Sequence, residues 1–110
     1  HRFDDLGVLR LLASLAGGPE LARYIEDELG PVLKHDAKAT NALLPTLRTY
    51  LACDGNKSQA AAELFVQRRT LYYRLERITS LLGRSLDDPD TRQALVFAVR
   101  GHDLLHRSNR

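Results

Sequence analysis

The chain lacks most of what would tie it to several common protein classes. Its 110 residues hold one cysteine, Cys53. No internal disulfide framework is therefore possible, and a reducing, cytoplasmic setting is expected. No apolar stretch approaches the ~18 residues of a membrane span, and no basic-then-apolar leader opens the sequence. Internal repeats, low-complexity tracts and the alternating pattern of strands are missing. So are paired cysteines, a Gly-rich phosphate loop and any Ser/His/Asp arrangement. His102 and His106 stand four residues apart, an echo of the H-E-x-x-H metalloprotease helix. Asp103 stands where that motif has Glu, and no third ligand is evident. No catalysis, no bound metal and no cofactor is expected, and Cys53 reads as a small core residue.

What remains is helical, and with 44% hydrophobic residues the chain can bury a modest core. Leu6, Leu9, Leu12 and Leu15 mark a first helix over about Asp4–Ala16, stopped by Gly17-Gly18-Pro19. A second, about Pro19–Leu29, carries Leu21, Ile25 and Leu29 on one face and is followed by Gly30-Pro31. Pro31–His35 reads as a further short helical turn, and Asp36–Asn41 as a connection or the start of the next helix. A third helix is expected over Leu44–Cys53, ended by Asp54-Gly55. Two closely spaced helices follow at Lys57–Leu64 and Arg68–Leu82, with Gly83 as C-terminal cap. Asp88 and Pro89 open a last helix reaching about His106. The fold class is all-α. Residues 1–42 read as a helical segment leading from an upstream domain, and 43–110 as the functional domain.

Charge is unevenly placed. Residues 1–55 carry six Lys/Arg against eight Asp/Glu, whereas residues 56–84 carry six against two. The whole positive excess lies in that second segment, as a polyanion-binding surface requires. Within it, Asn56 followed by Gln59 forms a capping-box pattern, and Ala60-Ala61 allows another helix to approach closely. Leu64 and Val66 flank a tight turn. Two short helices, a tight turn and small residues at the crossing make a helix-turn-helix. On the second helix, at about 100° per residue, Leu71, Leu75, Ile78 and Leu82 form one buried stripe. Arg69, Thr70, Tyr73 and Arg77 project from the other side, Gln67 and Arg68 stand at the tip, and Tyr72 and Arg74 lie on the flanks. Arg is suited to guanine O6 and N7, and Gln to adenine N6 and N7. The N–H groups at Asn56–Ser58, with Lys57 beside them, form a phosphate seat.

These residues carry a family resemblance. Gly55-Asn56, Ser58, Ala60-Ala61, Leu64-Phe65-Val66, Arg68, Thr70-Leu71, Tyr73-Arg74-Leu75, Ile78 and Gly83-Arg84 to Leu86-Asp87-Asp88-Pro89 resemble the C-terminal helix-turn-helix of the PucR/CdaR family of bacterial regulators. Phe3-Asp4-Asp5-Leu6-Gly7 and Leu29-Gly30-Pro31-Val32-Leu33 to Asp36 extend the likeness over most of the chain. The motif is also similar to the DNA-binding end of Fis, the factor for inversion stimulation. That similarity implies base contacts by Gln67, Arg68 and Tyr73, and phosphate contacts by Asn56, Ser58, Thr70, Tyr72 and Arg74. Arg69 is added to the first set from its place on the helix, and Lys57 and Arg77 to the second. Two residues depart from the pattern: Tyr72 stands where both families often have a basic residue, and Arg69 where the PucR-like pattern often has Asn.

The resemblance implies sequence-specific binding of double-stranded DNA for transcriptional control, with the helix at about 68–82 in the major groove. It also implies a homodimer, no membrane association, and an effector bound by a region absent from this chain. The alternative reading is a helical dimerisation or protein-interaction module that does not bind DNA. Single residues have their own alternatives. Arg74 is as suited to bracing the fold through a carboxylate as to holding a phosphate. Arg77 is equally suited to pairing with the last helix, and Tyr73 to covering the side of the core.

Overall fold

The computed structural model describes residues 3–15 and 17–108. The described residues form six helices: α1 Phe3–Leu15, α2 Pro19–Lys38, α3 Leu44–Ala52, α4 Lys57–Leu64, α5 Arg68–Leu82 and α6 Pro89–Ser108. Among the described residues there is no strand, and the all-α expectation holds. Among the described residues, no helix is long and apolar enough to cross a membrane. The bounds of α4 and α5 are those expected from periodicity. Ala16, the expected end of the first helix, lies outside the described residues, as do the side chains of Leu6 and Leu9.

The largest departure is α2. Gly30-Pro31 was expected to end it near Leu29, yet the helix runs on to Lys38 with Pro31 inside. A proline removes one helical donor and crowds the residue before it. Here that residue is Gly30, which has no Cβ to crowd, and Pro31 itself lies on the exposed side, where water can serve the freed carbonyl. The core side supplies the gain. Leu21, Ile25, Leu29 and Val32 form one stripe at helical spacing, and Leu29 and Val32 are wholly buried. Stopping at Leu29 would expose Val32. Full burial of such a side chain stabilises by about 1.5–3 kcal/mol.

The late end of α2 places a carboxylate where the next helix needs one. Asp36 accepts from the backbone N–H of Leu43 at 2.7 Å and of Leu44 at 2.8 Å, and sits 2.8 Å from Nδ1 of His35. Leu43, the N-cap residue of α3, has no capping side chain of its own. Asp36 therefore caps α3 across the connection, covering donors that the first turn of a helix leaves unpaired. Burial by itself would raise its pKa; the hydrogen bonds from Leu43, His35 and Leu44 outweigh that and hold the carboxyl below its ordinary value.

The helices share one core. Leu29 of α2, Leu47 and Tyr50 of α3, Leu71 and Ile78 of α5, and Leu95 of α6 are all fully buried. The Tyr24 hydroxyl donates to the Ala94 carbonyl at 2.9 Å and joins α2 to α6. Arg48 makes a two-pronged pair with Asp103 at 2.7 and 3.2 Å, joining α3 to α6. Arg84 pairs with Glu28 of α2. Gly83 ends α5 at φ 69°, its N–H on the Thr79 carbonyl, as expected of a C-terminal cap. Asp88 opens α6, accepting from the Asp90 N–H and the Thr91 hydroxyl.

Candidate nucleic-acid interface

Helix α4 is short and buries little besides Ala60 and Ala61, and these small side chains allow close packing against its neighbours. Its start is held by Asn56, whose side chain accepts from the Gln59 N–H at 2.9 Å. The reciprocal half of the expected capping box is not made. Gln59 instead donates to Glu63 at 3.1 Å, one turn along the same helix, and the Asn56 N–H goes to the Cys53 carbonyl. Glu63 also accepts from the Cys53 thiol at 3.4 Å. Burial, and then the hydrogen bond and negative charge of Glu63, push that thiol above its ordinary pKa. Cys53 is the small core residue expected, kept in its unreactive form.

The helices are joined by Phe65, Val66 and Gln67. Phe65 lies in the left-handed region at φ 57°, ψ 41°. Its N–H bonds back to Ala62, and that of Val66 to Ala61, which closes the end of α4 as a Schellman-type turn. Leu64 and Val66 pack partly against the core beneath the turn, as expected.

Helix α5 has two distinct sides. Leu71, Leu75 and Ile78 are buried, and Leu82 is partly buried at the end of the same stripe. Gln67, Arg68, Arg69, Tyr72, Tyr73 and Arg77 are exposed, Tyr73 by 66%. Arg68, Arg69, Tyr72, Tyr73 and Glu76 surround a shallow depression of about 470 Å³. Thr70 and Arg74 are half-buried on the flanks. Arg68 donates to the Ser58 hydroxyl at 3.1 Å and so bridges the starts of the two helices. Arg74 does brace the fold, but through a hydroxyl: it donates to the buried Thr46 at 3.3 Å and ties α5 to α3. Lys57 lies 3.4 Å from Asp87 and 5.5 Å from the centre of the Tyr72 ring. Among the described residues, no carboxylate pairs with Arg68, Arg69, Arg74 or Arg77. The structure thus brings Ser58 and Arg68 together, sets Lys57 against Tyr72, and leaves Arg69, Tyr73 and Arg77 without a side-chain partner among the described residues.

Two supporting residues had escaped sequence reasoning. Arg92 of α6 donates to the carbonyls of Leu86 and Asp87 at 3.0 Å each, and the Tyr50 hydroxyl donates to the Leu86 carbonyl at 3.2 Å. Together they hold the α5–α6 loop so that Asp87 faces Lys57. The Arg92 guanidinium also lies under Gly55, where a Cβ would come within 3.1 Å of it; with φ at 83°, that position suits glycine alone. Gly55 was the one visible trace of this clamp in the sequence.

On α6, the His102 and His106 rings lie tilted by 36° with centres 4.0 Å apart, and His106 Nδ1 lies 3.0 Å from the His102 carbonyl. Burial first, and the neighbouring His106 second, lower the His102 pKa. Among the described residues, no group of three or more His, Cys, Asp or Glu side chains is placed to hold a metal ion.

Comparison with known proteins accounts for this arrangement. Residues 43–101 match the family model of the PucR C-terminal helix-turn-helix domain. The chain belongs to the PucR helix-turn-helix family. It is 44% identical over 105 residues to the purine catabolism regulatory protein of Bacillus subtilis, covering 96% of this chain and 19% of that protein. It is 32% identical over 97 residues to the proline-responsive transcriptional activator PutR of the same organism, covering 88% of this chain and 24% of that one. The transcriptional activator PmfR of Paenarthrobacter nicotinovorans is 37% identical over 67 residues, covering 61% of this chain and 14% of its own. The chain thus spans a quarter or less of these relatives, which are named as one regulatory protein and two transcriptional activators. No solved structure matches it. Within the PucR-type domain, the matched segment runs from the start of α3 into α6 and takes in every residue of the surface described above.

Proposed function

We propose that this chain binds double-stranded DNA sequence-specifically for transcriptional control, with α5 seated in the major groove. The observation that carries the reading is the outer face of α5. Gln67, Arg69, Tyr73 and Arg77 are exposed there, and among the described residues no carboxylate pairs with these cations. A helix with one buried stripe and one free cationic face is what major-groove readout uses. Gln67, Arg68, Arg69 and Tyr73 are assigned to base edges. Asn56, Lys57, Ser58, Thr70, Tyr72, Arg74 and Arg77 are assigned to phosphates. Residues 43–110 form the DNA-binding unit, and 1–42 lead into it from the regulatory part of the whole protein, which holds the effector. Two copies would present α5 helices about 34 Å apart on one face of the duplex. Within the cell the place of action is the cytoplasm.

The test is duplex binding across a salt series. Log affinity should fall with log salt by about 0.9 for each phosphate contact. A chain that retards no duplex even at low salt sinks the reading. One observation favours a protein-interaction role elsewhere on the molecule: Leu11, Leu12, Leu15, Leu21, Tyr24 and Phe97 line an apolar groove of about 310 Å³ between α1, α2 and α6. If duplex binding fails, that groove becomes the surface to pursue.

A further inference from the structure

Phe65 is the most exposed large apolar side chain among the described residues. It is 95% exposed, so its ring packs on nothing among the described residues. Its backbone is held at φ 57°, where a residue with a Cβ is strained by about 1–2 kcal/mol and glycine is not. The Schellman-type turn needs that conformation but makes no use of the ring; its hydrogen bonds run through the N–H groups of Phe65 and Val66. Within the fold, glycine would serve better. A large apolar group kept at a strained and exposed position gains nothing from the chain that carries it.

Its place says what can cover it. Phe65 lies three residues before Arg68, so chain length alone keeps the two Cα atoms within about 11 Å. It thus stands at the same end of α5 as Gln67, Arg68 and Arg69, all exposed and none paired with a carboxylate among the described residues. An apolar protein surface docking there would have to cover these cations without compensation. A duplex meets both demands, with phosphates for the cations and apolar groups (thymine methyls and deoxyribose faces) for the ring.

We propose that Phe65 is a DNA-contacting residue that packs its ring on the apolar surface of the duplex beside the site of Gln67 and Arg68. This rests on the DNA-binding reading above. The experiment uses duplexes recovered from a random pool by the wild-type chain. On these, Phe65→Gly and Phe65→Ala are compared with wild type in affinity, salt slope and melting temperature. Both variants should lose about tenfold in affinity, the worth of burying roughly half a phenyl ring. The salt slope should stay unchanged, because no phosphate contact is removed. Phe65→Gly should melt no lower than wild type, since it relieves the turn, so its lost affinity cannot be lost folding. Replacing thymines by uracil in the duplex then locates the contact. A loss seen with wild type but not with Phe65→Gly places the ring on a methyl, and no loss with either places it on deoxyribose. Undiminished affinity in both variants, with wild type binding DNA in the normal salt-dependent way, overturns the proposal and leaves the ring to a protein partner. Failure of the wild-type chain to bind any duplex is a different result: it removes the DNA reading itself, and this proposal with it.

Discussion

Several charged groups of the α2–α3–α6 frame are turned on the fold, whereas those on the outer face of α5 are left to the solvent. In the frame, Arg48 meets Asp103, Arg84 meets Glu28, and Asp36 sits on the start of α3. On α5, Arg68 and Arg74 reach only hydroxyls, and Arg69 and Arg77 reach no carboxylate among the described residues. Where the fold uses a charge, the chain supplies its opposite within reach. Where it does not, the charge is available to something outside. The contrast also divides the basic segment 56–84, which looks uniform in sequence. Arg84 belongs to the frame, Lys57 is shared with Asp87, and only the tip and outer face of α5 remain open.

The largest expected effect comes where the two regions meet. Leu71 is fully buried, yet lies on the helix that carries the free cations. Leu71→Ala should cost about 2–5 kcal/mol in urea unfolding; a loss below about 0.5 kcal/mol would mean that α5 does not depend on the frame. Next is Arg68→Ala, which should weaken binding to a selected duplex by about 1–3 kcal/mol and relax base preference, while leaving unfolding nearly unchanged. Lys57→Ala should instead weaken all sequences alike and reduce the salt slope by about 1. An equal loss on all sequences for Arg68→Ala would make Arg68 a phosphate group and blur the assigned division of roles.

Asp36→Ala should cost about 0.5–2 kcal/mol at neutral pH, the range for losing a helix cap. Its pH dependence has a definite sign. The folded pKa is lowered, so the stabilisation is complete above the unfolded value of about 3.9 and is lost as pH falls through the folded value. Wild type and variant should therefore converge in acid; a constant gap would show that packing, not the carboxylate, carries the effect. The smallest change is expected from Arg48→Ala. Its partly exposed pair with Asp103 should contribute at most about 1 kcal/mol, reduced by salt, and duplex binding should not change. A loss of DNA affinity there would erase the distinction between frame and face.

Much of the interface was legible because its signals are short-range. The bounds of α4 and α5, the Asn56 cap, the Gly83 cap and the Leu71–Leu75–Ile78 stripe all depend on residues within about one helical turn of each other. The free state of Arg69 and Arg77 was not legible, because it depends on what the rest of the chain fails to bring near them. Nor was the exposure of Phe65, an apolar residue between two others that pack on the core. The Schellman-type turn rotates it outward while its two neighbours pack inward.

By itself, then, the sequence determined that the protein is helical, where its paired helices begin and end, and which side of α5 is apolar. Tertiary structure alone decided that α2 passes through Pro31, that Asp36 caps α3, that Arg92 clamps the loop beside Lys57, and that Arg74 turns inward to Thr46. The physical reason is range. Helical hydrogen bonds and caps join near neighbours, so their chemistry is written in adjacent letters. The ties of Arg74 to Thr46, Arg48 to Asp103 and Arg84 to Glu28 span 28, 55 and 56 residues and exist only once burial of the common core has set the helices side by side.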